Sequence, residues 1–249
     1  MKTRGGIALC SVLLTFALGA HAQDPLEATR QALRQLRGTS PIAATVERHL
    51  VREQKDRPTV NGAATARVVA GPDGLQATLP PAQLASAVAE KLSTDPDGPR
   101  PVSSALMTLD LADVAVQLSA AGALLRDLEG AAVTKVEPED ANGAGGKRIE
   151  LDLAVRLPKA DMANVKEAKS TATLVVGVDG VPLSMQKHTM LHGRIMLMSI
   201  DVTLNDSATY AVQGDRLVEL TEQRVNDTNG LGQKAHEDRS TTIRVETAK

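Results

Sequence analysis

Between Met185 and Met198 the chain gathers thioether and imidazole side chains: Met185, His188, Met190, His192, Met196 and Met198. Such donors together suit copper, and His188, Met190 and His192 are the candidate metal ligands. The same stretch alternates along a strand. With His192-Gly193 as the centre of a tight hairpin, Met198 faces Lys187, Ile200 faces Met185 and Val202 faces Leu183, and facing residues share one side of a sheet. Met185, Met196 and Met198 then point to the core, whereas His188, Met190 and His192 lie on the other side. That register divides the ligand set, so a periplasmic copper-binding protein ranks third among the functional readings.

Other chemistry is sparse. The acid run Glu137, Glu139, Asp140 lacks the regular oxygen spacing of a calcium loop and, followed by Asn142, Gly143, Gly145 and Gly146, reads as a solvated turn. Asp110 and Asp113 are one helical turn apart on a polar face, where solvation outweighs acid-base use. No Gly-x-Ser-x-Gly elbow, phosphate loop or His-Glu-x-x-His motif occurs, no cofactor is implied, and the expectation is a protein that is not an enzyme.

Residues 1–22 read as a cleavable export signal, with Lys2 and Arg4 ahead of the apolar stretch Ile7 to Leu18 and a small-x-small site at Ala20-His21-Ala22. The apolar run is short of the roughly 20 residues a bilayer span needs, so no transmembrane span is expected in the mature chain. Cleavage removes Cys10, the only cysteine, and with it any disulfide or thiol chemistry. Loss of Lys2 and Arg4 shifts the formal charge from −2 to −4, which offers no basic footprint for nucleic acid. Tyr210 is the one aromatic residue left, which excludes base-stacking platforms and aromatic cages. The composition fits a bacterial periplasm.

The elements that must position any site follow from periodicity. Asp24-Pro25 opens a short helix with Leu26, Leu33 and Leu36 on one face. A period of two then takes over in Ile42, Ala44, Val46 and Leu50, and Gly71-Pro72-Asp73-Gly74 turns the chain between two further strands. Helices are predicted from Pro81 to about Ser93 and, past a proline-rich breaker, continuously from about Ser104 to Glu129. Met107, Leu111, Val114, Leu118, Ala121, Leu125 and Leu128 make an apolar stripe along the second. From Ala131 onward the pattern returns to alternating strands with short links, hence antiparallel neighbours. Residues 23–249 are read as a single α+β domain: a curved antiparallel sheet, an incomplete β-barrel, covered on its concave side by helices.

This order of elements resembles the periplasmic outer-membrane lipoprotein carrier superfamily. The likeness rests on Leu33-Arg34-Gln35-Leu36 running into Pro41 to Gln54, the helix ending at Leu128, Val155-Arg156-Leu157-Pro158-Lys159, and Val176-Gly177-Val178-Asp179-Gly180-Val181-Pro182 before a long hairpin. It implies a hollow between sheet and helices that holds acyl chains, and a basic residue on the early strands, here Arg48, Arg52 or Arg67, that helps hold a helical lid. Such carriers tend to line the hollow with aromatic residues, whereas this chain offers Leu111, Leu118, Leu125, Met185, Met196, Met198, Ile200 and Val202 as its lipid-binding candidates. The function expected is a non-enzymatic periplasmic binding protein sheltering an acyl chain or lipoprotein anchor. The alternative is an envelope protein-protein interaction module without a lipid ligand.

Overall fold

The computed structural model describes residues 24–95, 98–139, 145–157, 164–195, 198–230 and 233–246; the export-signal reading lies outside them. Helix α1 (Glu27–Gln35) leads into strands β1 (Ile42–Gln54), β2 (Val60–Gly71) and β3 (Gly74–Thr78). Helices α2 (Pro81–Leu92), α3 (Pro101–Thr108), α4 (Leu111–Gln117) and α5 (Ala121–Asp127) follow. The chain then runs through β4 (Ala132–Pro138), β5 (Gly146–Leu153), β6 (Val165–Gly177), β7 (Pro182–Ile195), β8 (Met198–Gln213), β9 (Arg216–Gly230) and β10 (Gln233–Val245). All ten strands form one open antiparallel sheet in the order β3-β2-β1-β10-β9-β8-β7-β6-β5-β4. The one long-range step brings β10 back beside β1, where Ala44 pairs with Val245 and Gln54 with Ala235. Among the described residues no helix is long and apolar enough to cross a membrane.

Strand alternation puts one row of side chains inside. Ile42, Ala44, Val46, Arg48 and Leu50 of β1 are buried, as are Ala64, Ala66 and Val68 of β2. Helices contribute to two buried clusters against this inner face. Val114 and Leu118 join Val46, Val68 and Ile243, while Leu26, Leu33, Leu124 and Leu128 join Ile149, Leu151, Leu174, Met185 and Leu217. Gly180 allows α1 to come close. Its φ of +79° suits the turn between β6 and β7, and a Cβ there would meet the Ala28 carbonyl carbon at 2.9 Å.

Two expectations from periodicity are corrected. The continuous helix from Ser104 to Glu129 is three helices, because other bonds claim the backbone at both breaks. At the first, the Asp110 carboxylate accepts from the Ala112 amide at 2.8 Å and starts α4 afresh. At the second, the Ala120 amide donates to the Leu217 carbonyl of β9 at 2.8 Å. The stripe survives the second break and fails only at its N-terminal end. Val114, Leu118, Ala121 and Leu128 are buried as the stripe predicts, but Met107 is 86% exposed and Leu111 41%. Asp110 is therefore a cap, and Asp110→Ala should cost about 1 kcal/mol in urea denaturation, the usual loss when such a cap is removed. An unchanged midpoint would show that α4 does not depend on it.

The second correction concerns the hairpin of β7 and β8. Ile195 pairs with Met198, Gly193 with Ile200, Leu191 with Val202 and Met185 with Ala208, so the turn lies beyond Ile195 and not at His192-Gly193. Gly193 serves a different purpose. A Cβ there would sit 2.5 Å from the Asn164 carbonyl oxygen, which accepts from the Arg194 amide at 2.8 Å, so glycine admits a close approach of neighbouring backbone inside the strand.

Candidate ligand-binding face

The displacement of the turn is even, so the sides assigned to each residue survive while their neighbours change. Met185 shares the inner face with Met198, Ile200 and Val202, but its partner Ala208 stands eight residues from Ile200, about 27 Å along a strand. The eight lipid-binding candidates therefore do not line one hollow. Leu118 and Met185 are buried in different clusters, and Leu125 packs against the one that holds Met185. Leu111 faces solvent, Met198 is 49% exposed, Ile200 and Val202 are half-buried, and Met196 lies outside the described residues.

On the outer face, Nδ1 of His188 donates to Asn205 Oδ1 and Nδ1 of His192 to Asp201 Oδ1, both at 2.7 Å. Met190 lies between them and pairs with Thr203. Four residues of extended strand hold the two histidines about 13 Å apart at the backbone, too far for one ion with bonds near 2 Å. Among the described residues no group of three or more His, Cys, Asp or Glu is placed to hold a metal ion. The acid run is likewise engaged as far as Glu139: Lys135 reaches Glu137 at 2.9 Å and Arg148 reaches Glu139 at 2.7 Å.

Directly beneath α4 and α5 the inner face carries charged groups beside its apolar ones. A cavity of about 170 Å³ between these helices and β7, β8 and β9 is lined by Asp113, Gln117, Asp127, Met185, Asp206, Glu219, Glu222 and Arg224 among others. Gln117, off the apolar stripe, is buried there. Its Nε2 donates to Glu222 at 2.9 Å and to Glu219 at 3.3 Å, while its Oε1 is buried without a partner. Burial, reinforced by the neighbouring Glu222 charge, pushes the Glu219 carboxyl up to about 7. Arg224 donates to Asp206 at 2.7 Å and lies 2.9 Å from Glu222, and Lys187 approaches Asp127 and Asp206 at 3.7 and 3.8 Å.

A larger hollow of about 520 Å³ opens farther along the same face. Leu153, Val155, Leu157, Leu191 and Leu204 are its larger apolar residues, interleaved with Arg156, Ser170, Thr189 and Asn226, and Asp127, Lys187, Asp206, Arg224, Glu237 and Arg239 bring further charge. Beyond Leu191 and Leu204 the inner row runs on through Val202, Ile200 and Met198 toward the end of the hairpin. Of the three basic residues named on the early strands, Arg52 lies 2.8 Å from Glu237 and Arg67 lies 2.7 Å from Glu246. Arg48 is 0% exposed, and its Nε, Nη1 and Nη2 have no partner among the described residues.

Arg224, Arg239, Glu219 and Leu191 escaped sequence reasoning, and Leu204 continues the alternation of Met198, Ile200 and Val202 without being among the candidates. A signal existed on β1 and β10. Counting by two from Val46 to Leu50 passes through Arg48, and counting back from Ile243 passes through Thr241 to Arg239 and Glu237. On β9 the count fails, because the ladder with β8 shifts register between Thr209 and Tyr210, and Glu219 and Glu222 consequently share one face despite their odd spacing. Comparison with family models, curated proteins and solved structures returned no match for this chain.

Proposed function

We propose that the mature chain is an exported, non-enzymatic binding protein of the bacterial periplasm that shelters an acyl chain, free or as a lipoprotein anchor. The ligand would lie on the inner face of a half-barrel partly covered by its helices. The observation that carries this reading is the hollow of about 520 Å³ walled by Leu153, Val155, Leu157, Leu191 and Leu204. Its volume falls in the usual range for small-molecule sites, roughly 300–1,000 Å³. Apolar transfer supplies the driving force, about 0.8 kcal/mol for each methylene taken from water. The site is moved from the one expected beneath the helices, where the cavity of about 170 Å³ is smaller than a small-molecule site of roughly 300 Å³ or more.

Leu204→Trp tests the location. Trp at this half-buried wall position fills the hollow with apolar volume, so uptake of a fatty-acyl probe should fall at least tenfold while the unfolding midpoint stays close to wild type. In a solid core the same insertion would overpack and typically cost about 1–3 kcal/mol. No probe uptake by the wild-type protein, together with a lowered midpoint for the variant, would refute the hollow.

A second reading, the envelope protein-protein module, is supported by α2. This helix buries none of its residues, and Leu84, Val88 and Leu92 form an exposed apolar row at a spacing of four. Mass spectrometry of protein isolated from its native host separates the two readings, since bound lipid supports the binding protein and a stoichiometric partner chain supports the module.

A further inference from the structure

The inner face holds more acid-base pairs than an acyl site requires, and matching them leaves a remainder. Asp206 is taken by Arg224 and Lys187, Glu222 by Arg224 and Gln117, Glu237 by Arg52, and Asp127 by Lys187. Arg48 and Arg239 have no carboxylate within ion-pair distance among the described residues. They are diagonal neighbours on adjacent strands, since Arg48 pairs with Thr241 and Leu50 with Arg239, and both belong to the inner row. Arg48 is fully buried with all three guanidinium nitrogens unpartnered, and Arg239 Nε is buried and unpartnered as well. Burial, and next the nearby Arg239 charge, hold the Arg48 pKa below its usual value, while the Glu222 and Asp113 carboxylates, beyond ion-pair distance, act in the opposite sense. Two such groups side by side are tolerated best when an anion joins them, because an unpaired buried charge is strongly unfavourable and a guanidinium fork matches an oxyanion geometrically.

We propose that Arg239, backed by Arg48, seats the oxyanion head of the ligand whose aliphatic chain lies along Leu204 and Leu191. This rests on the acyl-ligand reading above and narrows it: the ligand is an acidic amphiphile, a carboxylate or phosphate monoester on an alkyl chain. Arg239 is among the charged residues of the hollow, and Leu204 and Leu191, two and three strands away, are among its apolar ones. Head and tail each meet side chains of matching character. Arg224 adds little net attraction, since Asp206 and Glu222 already neutralise it.

The test measures binding of three probes to the full mature chain by calorimetry at neutral pH: palmitate, monopalmitoyl glycerol and inorganic phosphate. Palmitate should bind about ten- to a hundredfold more tightly than the neutral lipid, the worth of a charge-assisted hydrogen bond. Arg239→Gln should bring palmitate down to about the affinity of monopalmitoyl glycerol. Equal binding of the two lipids to the wild-type protein overturns the oxyanion seat yet leaves the acyl reading standing. Failure of both lipids to bind overturns both. Phosphate binding without palmitate binding also overturns the amphiphile, since it leaves only a free-anion site. The wild-type comparison needs no variant, so a poorly folding Arg239→Gln would not remove the test.

Discussion

Leu118→Asp should unfold the protein at a much lower urea concentration than wild type, whereas Leu111→Asp, seven residues earlier, should barely move the midpoint. On one continuous amphipathic helix the two leucines would share a stripe and suffer alike. Both lie on α4, but Leu111 starts its first turn and Leu118 caps its last. Leu118 is 1% exposed, packed in the cluster of Val46, Val68, Val114 and Ile243, while Leu111 opens α4 at the surface. Replacing Leu118 removes its buried methyl groups, worth about 2–5 kcal/mol in a well-packed core, and then strands a carboxylate among aliphatic side chains. Against a typical total stability of about 5–15 kcal/mol, that loss is a large fraction. Leu111→Asp adds an acid to the first turn of a helix, where the macrodipole tolerates it, so its expected effect is within about 1 kcal/mol. Matching midpoints for the two variants would show that the start of α4 is packed as tightly as its end.

The contrast between these leucines also marks how far the chain can be read without its structure. Alternation in Ile42 to Leu50 and in Ile149 to Leu153, and the turns at Gly71-Pro72-Asp73-Gly74 and Asp179-Gly180, are local signals, and the strands and turns follow them. What lies beyond local pattern is set by partners distant in sequence. Leu217 of β9 takes the Ala120 amide and interrupts a helix whose own residues carry no breaker there. Asn164 crowds Gly193 and turns an apparent hairpin tip into the interior of β7. The polar inner row was partly visible, since Arg48 stands in register between Val46 and Leu50. A charged residue at an inward position invites the question of what neutralises it, and that question leads to the proposed ligand.

Glu219 provides the test of the charged cavity under α4. Its carboxyl is pushed from the ordinary 4.5 up to about 7, mainly by burial and then by the Glu222 charge, with Gln117 and Arg224 acting in the opposite sense. The folded state therefore keeps a proton on this group that the unfolded chain has already lost. As pH rises from about 4.5 through about 7 the unfolded state is favoured increasingly, and above that window the full cost has accrued, on the order of 3 kcal/mol for this shift. Asp24, Glu90, Asp215 and Glu246, whose pKa values are lowered, act with opposite sign and only at more acidic pH. His236, raised by its hydrogen bond to Asp227, loses its contribution in the same window as Glu219, so the comparison with a Glu219 variant over pH 5 to 8 is what isolates the cavity. Wild-type protein should melt at a lower temperature at pH 8 than at pH 5, by about 2–4 °C per kcal/mol for a chain of this length. Glu219→Gln keeps an oxygen able to accept from Gln117 and carries no charge, so it should flatten the dependence and raise the pH 8 melting temperature above wild type. If the two proteins lose stability in parallel across this range, the titrating group lies elsewhere and the helices α4 and α5 do not bury a protonated carboxyl against β9.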